Sequence, residues 1–430
     1  MSELQIRNQN RIFSGLKNIF RSLKYRNFRL FFGGQSISLV GTWIQRIAMP
    51  WLVYDISHSV VLLGIVGFAG QIPTFLMAPF AGVIADRRNR YHILIATQVL
   101  AMLQALTLAL LVFLGIIQVW HILLLSVVLG LINAFDMPTR QSFMIEMVEK
   151  KENLGNAIAL NSTMVNGARL LGPTIAGVLI AVAGEGTCFL INGISYLLVI
   201  YSLLKMKVIP RKKKEKNAKV FDELREGFKY TFGFMPIKFI ILLLAMVSLM
   251  GMPYSVLMPV FAKEVLHGNS NTFGFLMGAS GLGALSGALY LASRKNAVGL
   301  EKLIPVAATV FGAGLILLSF TRFFGLSVLM MIITGAGMML GMAGSNTVIQ
   351  TIVDDNKRGR VMSFYAMAFM GTAPFGSLIA GGLAKIIGTP ATLAIGGICC
   401  VIGAAFYFSK LPKLQKAIQP VYEKLGILND

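Results

Sequence analysis

The 430-residue chain is 56% hydrophobic and only 13% charged, with a mean hydropathy of +0.72, far more apolar than a soluble globular domain. Its formal net charge of +21 does not mark a nucleic-acid binder, because the 39 lysines and arginines gather in short segments between apolar stretches and not on one basic domain. Cys188, Cys399 and Cys400 all fall inside apolar stretches and make neither a disulfide framework nor a metal-ligand pattern, so no metal or cofactor is expected.

Residues 1–27 lack a continuous apolar run with a small-residue cleavage site, so no cleavable signal peptide is expected. Ile12, Phe13, Leu16, Ile19, Phe20 and Leu23 instead recur at helical spacing against Lys17, Arg21 and Lys24, as in a helix lying on a membrane surface. Apolar stretches long enough to cross a bilayer follow, at about 30 to 54, 60 to 85, 91 to 116, 119 to 141, 154 to 183, 186 to 208, 237 to 262, 272 to 293, 303 to 321, 325 to 352, 360 to 385 and 390 to 409. They are spans 1 to 12. The chain thus divides into an N-terminal segment (1–29), a first six-span bundle (30–208), a basic linker with an interfacial helix (209–236), a second bundle (237–409) and a tail (410–430).

Placing the N-terminus in the cytoplasm puts nearly every lysine and arginine on the cytoplasmic side, leaving Lys263, Arg322 and Lys385 outside, opposed by Asp55, Glu185 and Glu264. The positive-inside rule therefore predicts cytoplasmic termini and contact with anionic lipid headgroups.

Only a few charged residues interrupt the spans. In span 1, Thr42, Gln45, Arg46 and Met49 share a helix face by their spacing, as do Ser162, Asn166 and Arg169 in span 5. At about 1.5 Å per residue both arginines lie roughly 22 to 24 Å along their helices. A charge inside a span costs about 2.5–3.5 kcal/mol on insertion scales and faces protein or a wet cavity. Arg46 and Arg169 are thus candidate substrate ligands, with Thr42, Gln45 and Asn166 beside them; the alternative is that Gln45, Asn161, Asn166 and helix carbonyls hold them for structural reasons. With no acid at that depth, an anionic cargo such as a catecholate or carboxylate siderophore would suit a cavity built around them.

Between spans 2 and 3 the chain reads GVIADRRNR from Gly82 to Arg90, an acid among three bases in a short turn; Asp136 and Arg140 follow in span 4. Span 5 carries Ala159, Ala168, Gly172, Pro173, Ala176 and Gly177, small residues that let helices approach closely, with a proline that bends the span. The same pattern returns in span 11: Gly155, Gly167, Gly172 and Gly177 match Gly359, Gly371, Gly376 and Gly381 at one constant offset, so the halves read as copies of one unit around a central site. Span 7 adds Tyr254, Ser255 and Met258, and span 10 adds Met338, Met342, Ser345 and Asn346; methionines suit variable ligands, and equally suit helix packing.

The GVIADRRNR turn resembles the signature loop of the major facilitator superfamily. The resemblance implies an all-α fold of twelve transmembrane helices in two pseudo-symmetric six-helix bundles, with spans 1, 4, 7 and 10 bordering the cavity. It also implies a cytoplasmic latch of Gly82, Asp86, Arg87 and Arg90 with Asp136 and Arg140 as neighbours. The span 5 pattern, at Ala168, Gly172, Pro173 and Gly177, resembles the antiporter motif that accompanies export, with alanines in place of some of its glycines. The runs GTWIQRIAMPWLVY, FDMPTRQSF and NAIALNSTMVNGARLLGP are similar to an exporter branch that includes the enterobactin exporter and macrolide efflux proteins.

The resemblance implies a monomeric secondary transporter of the bacterial inner membrane, exporting a siderophore-like or drug-like small molecule by alternating access with protons as counter-ion. Asp136, the acid set within a span, is the candidate proton carrier. A lipid or lysophospholipid flippase of the same fold is the alternative. No nucleophile with its base converges in the spans, as an enzyme would need, and no Gly-Lys-Ser/Thr loop is present to bind ATP.

Overall fold

A computed structural model describes residues 21–148, 151–207, 220–294, 296–354 and 357–427. The N-terminal amphipathic stripe lies largely outside these, as do the basic run at 211–219 and the side chains of Gly82, Asp86 and Arg87.

The fold is all-helical with twelve spans. Ten helices among the described residues are long and apolar enough to cross a membrane. One of them, Leu154–Leu204, holds two spans: Gly184 at φ 75, ψ 172 turns the chain back between them, a conformation open to glycine and strained for other residues. Arg26–Ser57 supplies the remaining span. Its apolar character is diluted by Gln35, Ser38, Gln45 and Arg46, three of which are turned into the protein, at 4%, 1% and 3% exposure.

Span 7 is Met235–Val265 and span 11 is Arg358–Ile387. Both contain wide π-helical turns, at Val247–Gly251 and Phe261–Val265 in the former and at Met367–Gly371 in the latter. Such turns free backbone carbonyls, and one is used where the two spans meet: the Ser248 hydroxyl donates to Phe369 O, while Thr372 Oγ1 donates to Ala245 O at 3.3 Å. The linker helix, Val220–Gly233, docks on the start of span 11. Glu226 pairs with Lys357 at 3.0 Å and Arg360 at 2.5 Å, and the Phe228 and Phe232 rings meet Phe364. The last helix, Thr389–Lys424, runs on past span 12 and buries Leu414, Ile418 and Tyr422 against the second half. The tail is therefore a docked helical extension, with Gln415 Nε2 donating to the buried Glu301 carboxylate at 3.1 Å.

The distribution of buried apolar residues defines the conformation. On the face that carries the termini, each half has its own core: Phe28, Phe143, Leu160 and Leu203 in the first, Ile240, Ile304, Ile349 and Tyr407 in the second. Toward the opposite face the two halves share one core, in which Trp51, Leu63 and Phe189 pack with Phe261, Phe273 and Leu393.

Glycines make that shared core possible. A Cβ on Gly274 of span 8 would stand 2.7 Å from Gly177 Cα of span 5, and one on Gly381 of span 11 would stand 3.1 Å from Gly64 Cα of span 2. Gly177 and Gly381 are repeat mates, so the two crossings are copies of one contact. In lipid, where apolar burial offers little net driving force between helices, such close backbone approach is a main source of helix association. Polar ties rim the same face. Tyr54 Oη donates to Glu264 Oε1 at 3.0 Å, Lys263 pairs with Asp55 at 2.8 Å, and Trp51 stacks on Phe273.

Candidate substrate cavity

Span 1 is close-packed against span 5, and the contact that sets their approach is between Gly172 and Trp43. A Cβ on Gly172 would fall 2.3 Å from Trp43 Cβ, so only glycine leaves room for the indole. Trp43 in turn carries both membrane arginines: the Arg46 guanidinium carbon lies 4.8 Å from its ring centroid and that of Arg169 lies 5.4 Å away. Arg46 is exposed and Arg169 half-buried. Neither belongs to an ion pair among the described residues. An exposed guanidinium midway along a span faces water within the protein and not lipid. Arg169 lies about 12 Å along its helix from the Gly177 crossing, so both charges stand near the closed end of the cavity. The backbone of Arg169 also touches the second half, since a Cβ on Gly281 of span 8 would be 2.7 Å from its carbonyl.

The face of span 1 expected to line the cavity is split. Arg46, Thr42 and Trp43 lie on its open side, whereas Gln45 is 3% exposed and turned into the first bundle. Gln45 Nε2 donates to Gln104 Oε1 at 2.9 Å and Gln45 Oε1 accepts from Asn192 Nδ2 at 2.7 Å; Gln104 Nε2 reaches Leu125 O at 3.2 Å. Gln45 is therefore removed from the cavity lining and becomes the hub of an amide network joining spans 1, 3, 4 and 6. The reason is angular: residues three and four apart cover a wide sector of helix, and this sector straddles the boundary between cavity and bundle. The network also uses up Gln45, so it is Trp43 that contacts the arginines.

Other expected ligands are similarly occupied. The Thr42 hydroxyl donates to Ser38 O. Asn166, 8% exposed, donates to Ser162 O at 2.9 Å, which withdraws its amide from cargo. Tyr254, 4% exposed, shares a 2.8 Å hydrogen bond with Ser280 Oγ, and its ring belongs to the core that the two halves share. Ser255 Oγ donates to Met252 O. Asn346 Oδ1 accepts from Gln350 Nε2 at 2.5 Å, and its side chain is half-exposed. Met338, Met342 and Ser345 line a narrow apolar cleft with Met252, Phe311 and Phe369, within the second half.

Asp136, 2% exposed, accepts from Thr97 Oγ1 at 3.0 Å and Gln98 Nε2 at 2.7 Å, and pairs with Arg140 one turn away. Its described partners all lie in spans 3 and 4. Arg90 pairs with Glu146 at 2.7 Å, an acid not singled out in the sequence, although its place at the inner end of span 4, opposite a basic turn, was a usable signal. The helix bearing Gly82, Asp86 and Arg87 continues to Arg87. In the antiporter-like motif, Ala168, Gly172, Pro173 and Gly177 are all buried; Gly177 meets span 8, while Gly172 faces Trp43 in its own half. Among the described residues no group of three or more His, Cys, Asp or Glu side chains could hold a metal.

The sequence pattern of the family described as transmembrane secretion effectors matches residues 18–424. The staphyloferrin A transporter of Staphylococcus aureus is 28% identical over 384 residues, covering 88% of this chain and 95% of its own. The multidrug efflux pump Tap of Mycolicibacterium fortuitum is 24% identical, again covering 88% of this chain and 95% of its own. Among solved structures, an inward-facing, unoccupied bacterial homologue of the human lysosomal transporter Spinster superposes with a TM-score of 0.70 at 16% identity, covering 92% of this chain and 98% of that one. With twelve spans, matched halves and a cavity closed at one face, the chain belongs to the transmembrane secretion effector family of the major facilitator superfamily, whose members are multi-pass membrane transporters moving small molecules outward and not enzymes.

Proposed function

We propose that the protein exports an anionic, siderophore-like molecule across the bacterial cytoplasmic membrane by alternating access. The observation that carries this reading is the pair Arg46 and Arg169, two cations near the closed end of the cavity that no described carboxylate neutralises. Uncommitted guanidiniums in a partly dry site favour acidic groups, which they bind by charge-assisted hydrogen bonds. The staphyloferrin A transporter among its relatives supports a cargo of this kind.

Orientation follows from the charge asymmetry, which puts both termini in the cytoplasm. The face sealed by Gly64–Gly381 and Gly177–Gly274 is then the outer one, and the conformation is inward-facing, ready to load cargo from the cell. The proposed counter-ion is the proton and its carrier Asp136, a buried carboxylate whose hydrogen bonds to Thr97, Gln98 and Arg140 could be exchanged for a proton as the bundle rearranges. Gly82, Asp86 and Arg87 are assigned to a cytoplasmic latch that forms when the inner side closes, and the transporter is taken to act as a monomer.

The methionine-lined cleft in the second half favours a second reading, export of amphipathic drugs, in keeping with the multidrug pump among its relatives. Purified protein in liposomes under an imposed pH gradient separates the readings, with flux measured for anionic siderophores, amphipathic cations and lysophospholipids. The proposal expects gradient-dependent flux of the anions alone; flux of cations alone would transfer the assignment to multidrug efflux, and flux of lysophospholipids alone to a flippase.

A further inference from the structure

Two like charges held close together in a membrane protein normally need a carboxylate between them. Arg46 and Arg169 have an indole. Both guanidinium carbons lie within cation–π range of the Trp43 ring, so the distance between them is at most the sum of the two. A π face attracts cations through its quadrupole and carries no net charge. It steadies both guanidiniums while leaving their full positive charge, and every N–H the ring does not cover, available to a ligand. A carboxylate in the same place would have held them equally well and cancelled the attraction for an anion.

The indole is itself fixed. Gly172 leaves no side chain between span 5 and Trp43, and a single methyl there would collide with Trp43 Cβ at 2.3 Å. Span 5 thus contributes Arg169 and, three residues on, the gap that seats the ring beneath it.

On these grounds, and resting on the anionic reading above, we infer that Trp43 is the positioning residue of a two-arginine anion site for cargo bearing at least two acidic groups. It discriminates by charge because it organises cations without neutralising them. Gly172 serves the same site by seating the indole.

The chain's three tryptophans, Trp43, Trp51 and Trp120, make the test direct. In a Trp51→Phe/Trp120→Phe background the emission of the purified transporter reports on Trp43 alone. Citrate, a tricarboxylate, is titrated as the probe and tetraphenylphosphonium as the comparison cation. A saturable emission change is expected with citrate and none with the cation. Arg46→Ala or Arg169→Ala should weaken the citrate response at least about tenfold, the order expected for loss of a charge-assisted contact.

With the other tryptophans restored, Trp43→Leu should raise the KM for uptake of labelled citrate into proteoliposomes roughly tenfold with kcat little changed. Trp43→Phe, which keeps a weaker π face, should raise it only about threefold, and this rescue by a ring separates positioning from simple packing. Gly172→Ala should resemble Trp43→Leu. If the arginine variants lose citrate while Trp43→Leu and Trp43→Phe bind it as the parent does, the role of Trp43 is wrong and the anionic reading survives. If the parent responds to the cation and not to citrate, the anionic reading fails and this inference fails with it.

Discussion

Gly177 of span 5 and Gly274 of span 8 touch backbone to backbone, with no space for a methyl group on either: a Cβ on Gly177 would lie 3.0 Å from Gly274 Cα, and one on Gly274 would lie 2.7 Å from Gly177 Cα. The obstacle on each side is main chain, which cannot rotate away as a side chain can. Gly274→Ala must therefore part spans 5 and 8 at the closed face. The expected result is a shift toward the state open on that face. Spin labels on Ile116→Cys and Phe323→Cys, in a background without the native cysteines, should show a longer distance population in the variant. An unchanged distribution would mean that the crossing does not hold the face shut.

The buried amides predict a stability effect that is blind to cargo. Asn192→Leu leaves Gln45 Oε1 without its donor in a site that is 3% exposed, and a buried polar atom left unpaired costs about 1–3 kcal/mol. Thermal unfolding in detergent should begin several degrees lower, with the ratio of anion to cation transport unaltered. A change in that ratio would return Gln45 to the cavity wall.

Asp136 separates coupling from stability. Asp136→Asn leaves Arg140, a quarter exposed, without its carboxylate; breaking a buried pair costs about 3–5 kcal/mol, and partial exposure lowers the figure. Asp136→Asn/Arg140→Gln removes both charges and should recover most of the lost stability. If Asp136 carries the proton, this double variant exchanges labelled for unlabelled cargo at a normal rate yet no longer accumulates it against a gradient when a pH difference is imposed. Gradient-driven accumulation in the double variant would dismiss Asp136 as the carrier.

The docked linker helix carries a pH dependence. Hydrogen bonds from Lys357 and Arg360 hold the Glu226 carboxyl below its ordinary value. A carboxyl depressed in the docked state stabilises docking at neutral pH and loses that contribution as pH falls through the depressed value. A nitroxide on Lys229→Cys should thus be immobile at neutral pH and become mobile only in acid beyond the usual glutamate range, while Glu226→Gln should be mobile at neutral pH. Equal mobility of the two proteins at neutral pH would exclude Glu226 as the anchor.

The spans and the glycine repeat were legible in the sequence because lipid imposes one rule along the whole chain: a span must be apolar for some twenty residues, and the matched glycines of spans 5 and 11 stand out against that background. The arginines were legible for the same reason, since a charge in a span is conspicuous. Their partner was not. Trp43 is an aromatic in an apolar helix, and only folding shows that two guanidiniums from different spans converge on it. Gln45 failed in the opposite direction. Its polarity marked it out, but helical spacing does not distinguish a face toward water from one toward three neighbouring helices, so an amide committed to Gln104 and Asn192 looked like an open one.

The first span has a consequence for how the protein is made. Arg26–Ser57 is synthesised before any of its partners, and it is the one crossing too polar to count among the ten apolar helices. Alone in lipid it would present Gln35, Ser38, Gln45 and Arg46 to hydrocarbon, while the groups that answer Gln45, namely Gln104 and Asn192, emerge far later in translation. Its residence in the membrane must stay provisional until spans 3 and 6 arrive. A helix made early is thus among the last to settle, and the buried polar side chains that tie it into the finished bundle also make it the weak point of biogenesis.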